Sequence, residues 1–285
     1  MKKHSAFSLL ELSIVLLIIG ILVAGVTQGR SLIKQSILVK AQSLTNSSPV
    51  KKIDDLVLWY ETSSKESFIK TETEIDGSSI STWIDINPRA INRNNANQSN
   101  PSSQPKIYFN VFKKAIPALR FDGNDFMNFD GSQIVGLGYT IFIVEQRMAN
   151  ISENYFIGGG NNSVNGNLHV GYRTNTSITQ DQYANGIDYN GIPPYSSPIP
   201  RIHTFFLNTS SGKKYWLNGG DTPDASNSGQ TTPLNSYDNS TIGRYLNQFF
   251  SGDLAEIIIF KRALQTKERK EVEDYLSKKY DIKLS

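Results

Sequence analysis

The 285-residue chain contains no cysteine. No disulfide can staple it, no thiolate can ligate a metal, and lipoprotein processing has no residue to act on. Histidine is nearly as scarce, at His4, His169 and His203. The last two stand singly in strand-like runs, which reads as ordinary strand histidines and not as a zinc set. A strong charge imbalance is missing too. Lys and Arg number 29 against 26 Asp and Glu, a net charge of +3, too small and dispersed for a nucleic-acid face. Gly136-Leu-Gly138 and Gly158-Gly-Gly160 precede no Lys-Ser/Thr pair, so they read as turns and not as phosphate loops. No Ser-His-Asp arrangement can be nominated from spacing.

What is present is concentrated at the start. After Lys2 and Lys3 comes an uncharged, mostly apolar run from Leu12 to Gly29. It has the ~20 residues a helix needs to cross a bilayer, and a helix satisfies its own backbone there. The lysines in front place the N-terminus in the cytoplasm and everything beyond residue 30 outside it. Glu11 lies just ahead of the run with apolar neighbours on both sides. A carboxylate in a membrane helix costs roughly 2.5–3.5 kcal/mol on insertion scales, so it marks a function and a partner.

A short basic peptide, the small residue Ala6, then Phe7-Ser8-Leu9-Leu10-Glu11-Leu12 resembles a type IV prepilin leader. The resemblance covers about residues 1–45 and departs from the family at Ala6, where Gly is usual. It implies a leader peptide at 1–6, cleavage between Ala6 and Phe7 by a prepilin peptidase, and N-methylation of Phe7. It also implies that Glu11 pairs with the freed amine of a neighbouring subunit in a filament.

Beyond the membrane part, about 7–29, helical spacing continues to residue 48. Leu32, Ile33, Ile37, Ala41 and Leu44 fall near one face, and Asn46-Ser-Ser-Pro49 stops the helix. About 235 residues remain, enough for one large β domain over 53–285. Leu56–Tyr60, Ile80–Ile86, Ala118–Phe129 (broken at Asp122-Gly123), Tyr139–Glu145, Tyr155–Gly158, Asn167–Tyr172, Arg201–Asn208, Lys213–Asn218 and Ser251–Phe260 read as strands. Tyr139–Glu145 is apolar enough for burial on both faces. Residues 87–105 read as a long polar loop. Glu72, Glu74 and Asp76 alternate and read as exposed charge on an edge strand. Their order is not the E-x-D-x-E set of laminarinase-like glycosidases, so the chain is read as no enzyme. The end is helical, with Leu264, Val272, Tyr275, Leu276 and Tyr280 on one stripe, Thr266 as the cap, and an end or edge of the sandwich as its seat.

The pieces Leu56-Val-Leu-Trp59, Asp76–Asp85, Asn94–Gln98, Pro117–Asp125, Trp216-Leu-Asn-Gly219 and Gly252–Glu256 resemble, in order and spacing, laminin-G-like or concanavalin A-like jelly-roll domains. The implied fold is mainly β: a jelly-roll sandwich head on a long transmembrane helix, closed by a C-terminal helix. Members bind glycans, proteins or calcium, so membership alone sets no function. Asp122, Asn124 and Asp125 offer oxygen donors of the kind calcium takes, with a self-stabilised Asp-Gly turn as the alternative. Tyr183, Tyr189 and Tyr195 lie in a polar stretch where they could stack on sugar rings or anchor a long loop. No other cofactor is called for. The reading is a pilin-like subunit, minor or tip-type, whose partners are the peptidase, other pilin or pseudopilin subunits, the membrane, and a glycan or surface protein. A pseudopilin of type II secretion and a membrane-anchored adhesin are the alternatives. We expect mass spectrometry of the mature protein to find a chain starting at N-methylated Phe7; a chain retaining Met1–Ala6, or starting after Ala24, would refute the leader reading.

Overall fold

The computed structural model describes residues 9–285. Ala6 and Phe7, where cleavage is expected, lie outside the described residues. Helix α1 runs Leu9–Asn46, 38 residues, or roughly 57 Å at 1.5 Å per residue. It stops where expected. Ser48 accepts a hydrogen bond from the Val50 amide at 3.1 Å and opens a 3₁₀ turn over Pro49–Lys51.

The strands follow in chain order: β1 Leu56–Glu61, β2 Thr82–Trp83, β3 Ala96–Asn97, β4 Lys106–Phe112, β5 Ile116–Asp122, β6 Met127–Asn128, β7 Tyr139–Arg147, β8 Asn154–Gly158 and β9 His169–Thr174. Then come β10 Ser177–Asp181, β11 Ile187–Tyr189, β12 Arg201–Asn208, β13 Gly212–Leu217, β14 Ala225–Asn227, β15 Thr241–Ile242, β16 Arg244–Tyr245, β17 Gln248–Phe249 and β18 Ser251–Phe260. Helix α2, Thr266–Tyr280, closes the chain. The first sheet is ordered β14-β13-β12-β7-β18-β5-β4, with β1 also on β18. The second is ordered β11-β10-β9-β8-β15-β6-β3-β2, and β16–β17 is a separate hairpin. All pairings are antiparallel. Strand β18 holds the first sheet together. One side pairs with β7 along its length; the other is divided between β5 at Ser251–Leu254 and β1 at Glu256–Phe260.

Side-chain alternation then makes two cores. Ile141, Ile143, Ile257 and Ile259 enter the core between the sheets, with Trp83, Phe156, Tyr172 and Phe205. Phe142, Val144, Ile258 and Phe260 enter a second core, with Trp59, Val272, Leu276 and Tyr280. The first sheet is therefore buried on both faces, which is why β7 and the end of β18 read as unbroken apolar runs. Helix α2 covers a face of this sheet, not an end or an edge. All five expected stripe residues are buried. Its cap is Gln265, one residue before the expected Thr266. The Glu268 side chain reaches back to the Gln265 amide at 2.9 Å to complete a capping box.

Other expectations change. Ala41 is buried and Ile37 and Leu44 pack beside it, but Leu32 and Ile33 are exposed, so α1 docks through its last three turns. Ile80–Ile86 contributes only Thr82–Trp83 as strand. Glu72 lies in a 3₁₀ turn, Lys70–Thr73, and not on an edge strand. Its carboxylate accepts from the Ser81 hydroxyl, and Asp76 accepts from the Phe109 amide at 2.8 Å. These two carboxylates tie the segment to Ser81 and to β4. The strands flanking Asp122-Gly123 are present but belong to opposite sheets, so that turn is a crossover. The stretch from Asp181 is not all loop, since Ile187–Tyr189 pairs with β10.

Where α2 meets β1 and β18, Lys279 is fully buried. Its Nζ donates to Glu61 at 2.7 Å and Glu256 at 2.8 Å. Removing the cation leaves two buried carboxylates facing each other. We expect Lys279→Met to destabilise the protein by about 3–5 kcal/mol, read as a lowered denaturant midpoint; a loss under about 1 kcal/mol would show that the cluster holds nothing together.

Candidate functional site

Two regions stand out on the surface of the described residues. One is the free half of α1. From Leu9 to Val26 its large apolar side chains are exposed, Leu9 at 88 % and Leu22 at 62 %, and none of its most apolar stretch is covered by the head. Such a helix needs lipid or other helices around it. Glu11 sits in its first turn. At the other end the helix is fixed to the head. Ala41 and Thr45 are buried, Gln42 Nε2 donates to the Ser63 carbonyl at 2.8 Å, and Thr45 Oγ1 lies 3.3 Å from the Tyr275 hydroxyl.

The other region is an open groove of about 740 Å³ on the second sheet, at the end holding β3 and β6. Its lining comes from two segments, with Asn92, Arg93 and Asn95 from one and Asn128, Asp130 and Gln133 from the other. Its framework is rigid. The Asn94 side chain donates to the Asp130 carbonyl at 2.7 Å and accepts from the Asp130 amide at 2.9 Å. The Asn94 amide in turn donates to Asp85 at 3.1 Å, and Asp85 also accepts from Trp59 in the core at 2.8 Å. The stretch 87–105, expected as a polar loop, therefore has Asn94, Ala96 and Gln98 buried. Its run of asparagines was the available signal: these side chains cap backbone groups as readily as they face water.

The residues nominated in the head do not converge. Tyr183 is exposed on a turn at φ +57°. Tyr189 packs on Tyr215 with ring centres 5.5 Å apart, and the Arg147 guanidinium lies 5.7 Å from the Tyr195 ring. Asp125 is buried and accepts from the Asp122 amide at 3.0 Å, while Asp122 and Asn124 are exposed. Burial, with the Asp122 charge adding to it, raises the Asp125 carboxyl to about 6. Among the described residues no group of three or more His, Cys, Asp or Glu is placed to hold a metal ion.

The histidines are strand residues. His169 stacks on Tyr245 with ring centres 3.9 Å apart, and burial lowers its pKa to about 4. The hairpin carrying Tyr245 lies so close to β8 that a Cβ on Gly158 would stand 2.7 Å from the Tyr245 Cα. His203 Nε2 is 2.9 Å from Glu145 Oε1, which also accepts from the Tyr172 hydroxyl at 2.7 Å. That trio has the residue types of an acid–base site. All three are 0 % exposed. The Arg147 guanidinium ties the nearby loops down, donating to the Asn175 and Pro193 carbonyls at 2.7 Å each.

The family described as the prokaryotic N-terminal methylation motif matches residues 1–27. That motif implies processing by prepilin peptidase and assembly with pilin subunits; with the apolar helix it is consistent with an inner-membrane anchor. No curated protein matches the chain. Among solved structures, a Trypanosoma rangeli sialidase bound to sialic acid aligns at 12 % identity and TM-score 0.48, over 79 % of this chain and 33 % of that one. The botulinum neurotoxin serotype D/C binding domain aligns at 14 % identity and TM-score 0.46, over 78 % and 52 %. The Ruminococcus gnavus IT-sialidase CBM40 aligns at 12 % and 0.42, over 55 % and 96 %. The chain thus spans a third of that sialidase and about half of the toxin domain.

The pKa of Asp125 generates a pH test. A carboxyl raised on folding stabilises most below its unfolded value, about 3.9, and loses that contribution as pH rises through about 6. Asp125→Asn should therefore melt higher than wild type at pH 8, with the gap closing by pH 4. A gap that does not change with pH would show that the carboxyl titrates normally.

Proposed function

We propose that the chain is a minor or tip-type subunit of a type IV pilus or related filament, and that its sandwich head serves adhesion or interaction outside the membrane. The observation that carries this reading is the methylation motif at residues 1–27, continuous with a helix bare in its first half and docked on the head by its last turns. A bulky head on a slender helix is awkward to repeat in a close-packed filament and suits a terminal or sparse position. The head acts by contact and not by catalysis. In support, its most enzyme-like grouping, Glu145, His203 and Tyr172, has no exposed surface.

Glu11 is the assembly residue in this reading. Buried in an apolar helix bundle, a carboxylate is favourable only with a cationic partner, and cleavage after Ala6 would create a positive amine on each neighbouring subunit. We expect Glu11→Val to be inserted and processed normally, yet to fall at least tenfold in sheared, purified filaments, as read by immunoblot. Wild-type chain absent from every filament preparation would sink the proposal; recovery only in short secretion-system filaments would favour the pseudopilin alternative.

A further inference from the structure

We infer that the groove between Asn92–Ser99 and Asn128–Gln133 is a binding site for a short neutral oligosaccharide. The inference deepens the reading of the head as a displayed interaction module, and rests on it only for its biological setting.

The groove divides its polar groups into two sets. One set holds the walls in place. The Asn94 carboxamide bonds both ways to the Asp130 backbone, Asn95 Oδ1 accepts from the Asp85 amide at 3.0 Å, and Asp130 Oδ1 accepts from the Ser132 amide at 2.9 Å. Asn97 and Asn128 face each other across the β3–β6 pair. The other set makes no hydrogen bond within the described protein, although the Arg93 charge acts on Asp85 behind the wall. Asn95, Asn128 and Asp130 use one side-chain atom each, leaving Asn95 Nδ2, Asn128 Oδ1 and Asp130 Oδ2, and the Asn92 and Gln133 carboxamides and the Arg93 guanidinium of the same lining make no side-chain hydrogen bond. Half of each side chain is thus anchored at Asn95 and Asp130, so the free half needs little further ordering when a ligand arrives.

The chemistry of the free set selects the ligand. Amides present donors and acceptors side by side, which matches hydroxyl groups that do both. Arg93 and Asp130 cancel in charge, so a polyanion gains little. The lining carries a single cation, too few for nucleic acid. It carries one carboxylate among amides, a poor set for a divalent ion. Phe129, the one large apolar residue of the lining, is only 9 % exposed and packs into the core, so the groove offers nothing to a lipid chain and meets a ligand through its polar groups. The volume of about 740 Å³ falls within the roughly 300–1,000 Å³ of small-ligand sites.

The test uses the full chain in a sugar-free detergent, titrated calorimetrically with maltotriose, cellotriose, laminaritriose, mannotriose and chitotriose, and with 3′-sialyllactose as the acidic comparison. At least one neutral trisaccharide should bind. The Asn128→Ala, Gln133→Ala double variant should weaken it at least tenfold, with an unchanged melting temperature because both side chains are exposed. Asn124→Ala, on the β5–β6 crossover, should bind as wild type. No binding by any neutral probe, binding indifferent to the double variant, or binding of sialyllactose alone would each overturn the inference. The double variant should still enter filaments, so loss of sugar binding and failure of the filament reading register separately.

Discussion

One buried ammonium decides how the parts of this protein are joined. Lys279 lies between Glu61 and Glu256, and all three are essentially without exposure. Glu61 and Glu256 are direct partners in the β1–β18 register. Like charges directly opposite on a sheet repel, and burial makes the conflict worse. The lysine from α2 resolves it. Burial alone would raise the Glu61 carboxyl, but Lys279 and the Ser63 hydrogen bonds outweigh that and hold it below the usual range. At Glu256 burial prevails over Lys279, with the Glu61 charge adding, and the carboxyl is raised. Burial would lower Lys279, yet the two carboxylates together keep it raised. The acid and base ends of the pH range therefore act differently. The Glu61 contribution is complete above its ordinary value and fades as pH falls through its lowered one. The Lys279 contribution is complete below its ordinary value and fades as pH rises through its raised one.

The cluster fixes more than charge. A one-residue slip of β1 would turn Glu61 to the opposite face, so the register of β1 and the seat of α2 depend on one another. Trp59 Nε1 and the Tyr275 and Tyr280 hydroxyls also donate to Glu256, at 2.7, 2.8 and 2.9 Å. Tyr275 is shared: the oxygen that donates to Glu256 also lies against Thr45 of α1. On the other side, Ser63 donates to Glu61 through its amide and hydroxyl while its carbonyl holds Gln42 of α1. Both carboxylates are thus one residue removed from the helix that leaves the head. A pull on α1 is delivered to the middle of the first sheet, through β18 and β1, and not to a surface loop.

Sequence made these elements legible unevenly, and the reasons are physical. The long helix, β7, β18 and α2 were readable because burial on one stripe or on both faces forces apolar side chains into a period. The strands β2, β3 and β6 have two residues each, too few to show any period; their positions are set by Asn94, Asp85 and Gln98 bonding to backbone. Glu72, Glu74 and Asp76 alternate like a strand, but Glu72 is taken up by Ser81 and Asp76 by the Phe109 amide of β4 in place of β pairing. Lys279 falls on the same stripe as Val272, Tyr275 and Leu276, and Glu256 interrupts an apolar run. Each is a charge at a position that should be apolar, and the two together were the signal for the buried cluster. The nominated tyrosines failed to converge because exposure in a polar stretch says nothing about which residues share a surface.

The same contrast separates two polar groupings in the head that look alike on paper. Inside the sandwich, Glu145 takes His203 and Tyr172, and His203 in turn meets Tyr215 at 2.8 Å. Burial holds His203 below its ordinary pKa and Tyr172 well above its own. Both shifts favour the neutral imidazole and the neutral phenol, and the groups are directed at one another, so they add definition to the core and have no surface to offer. At the open end of the second sheet the polar groups are instead divided, one half of a side chain fixing the wall and the other half facing solvent. Rigid framework and free valence coincide there, and a binding surface needs both. The residue types alone favour the interior trio as the active feature; exposure and the direction of each hydrogen bond reverse the choice.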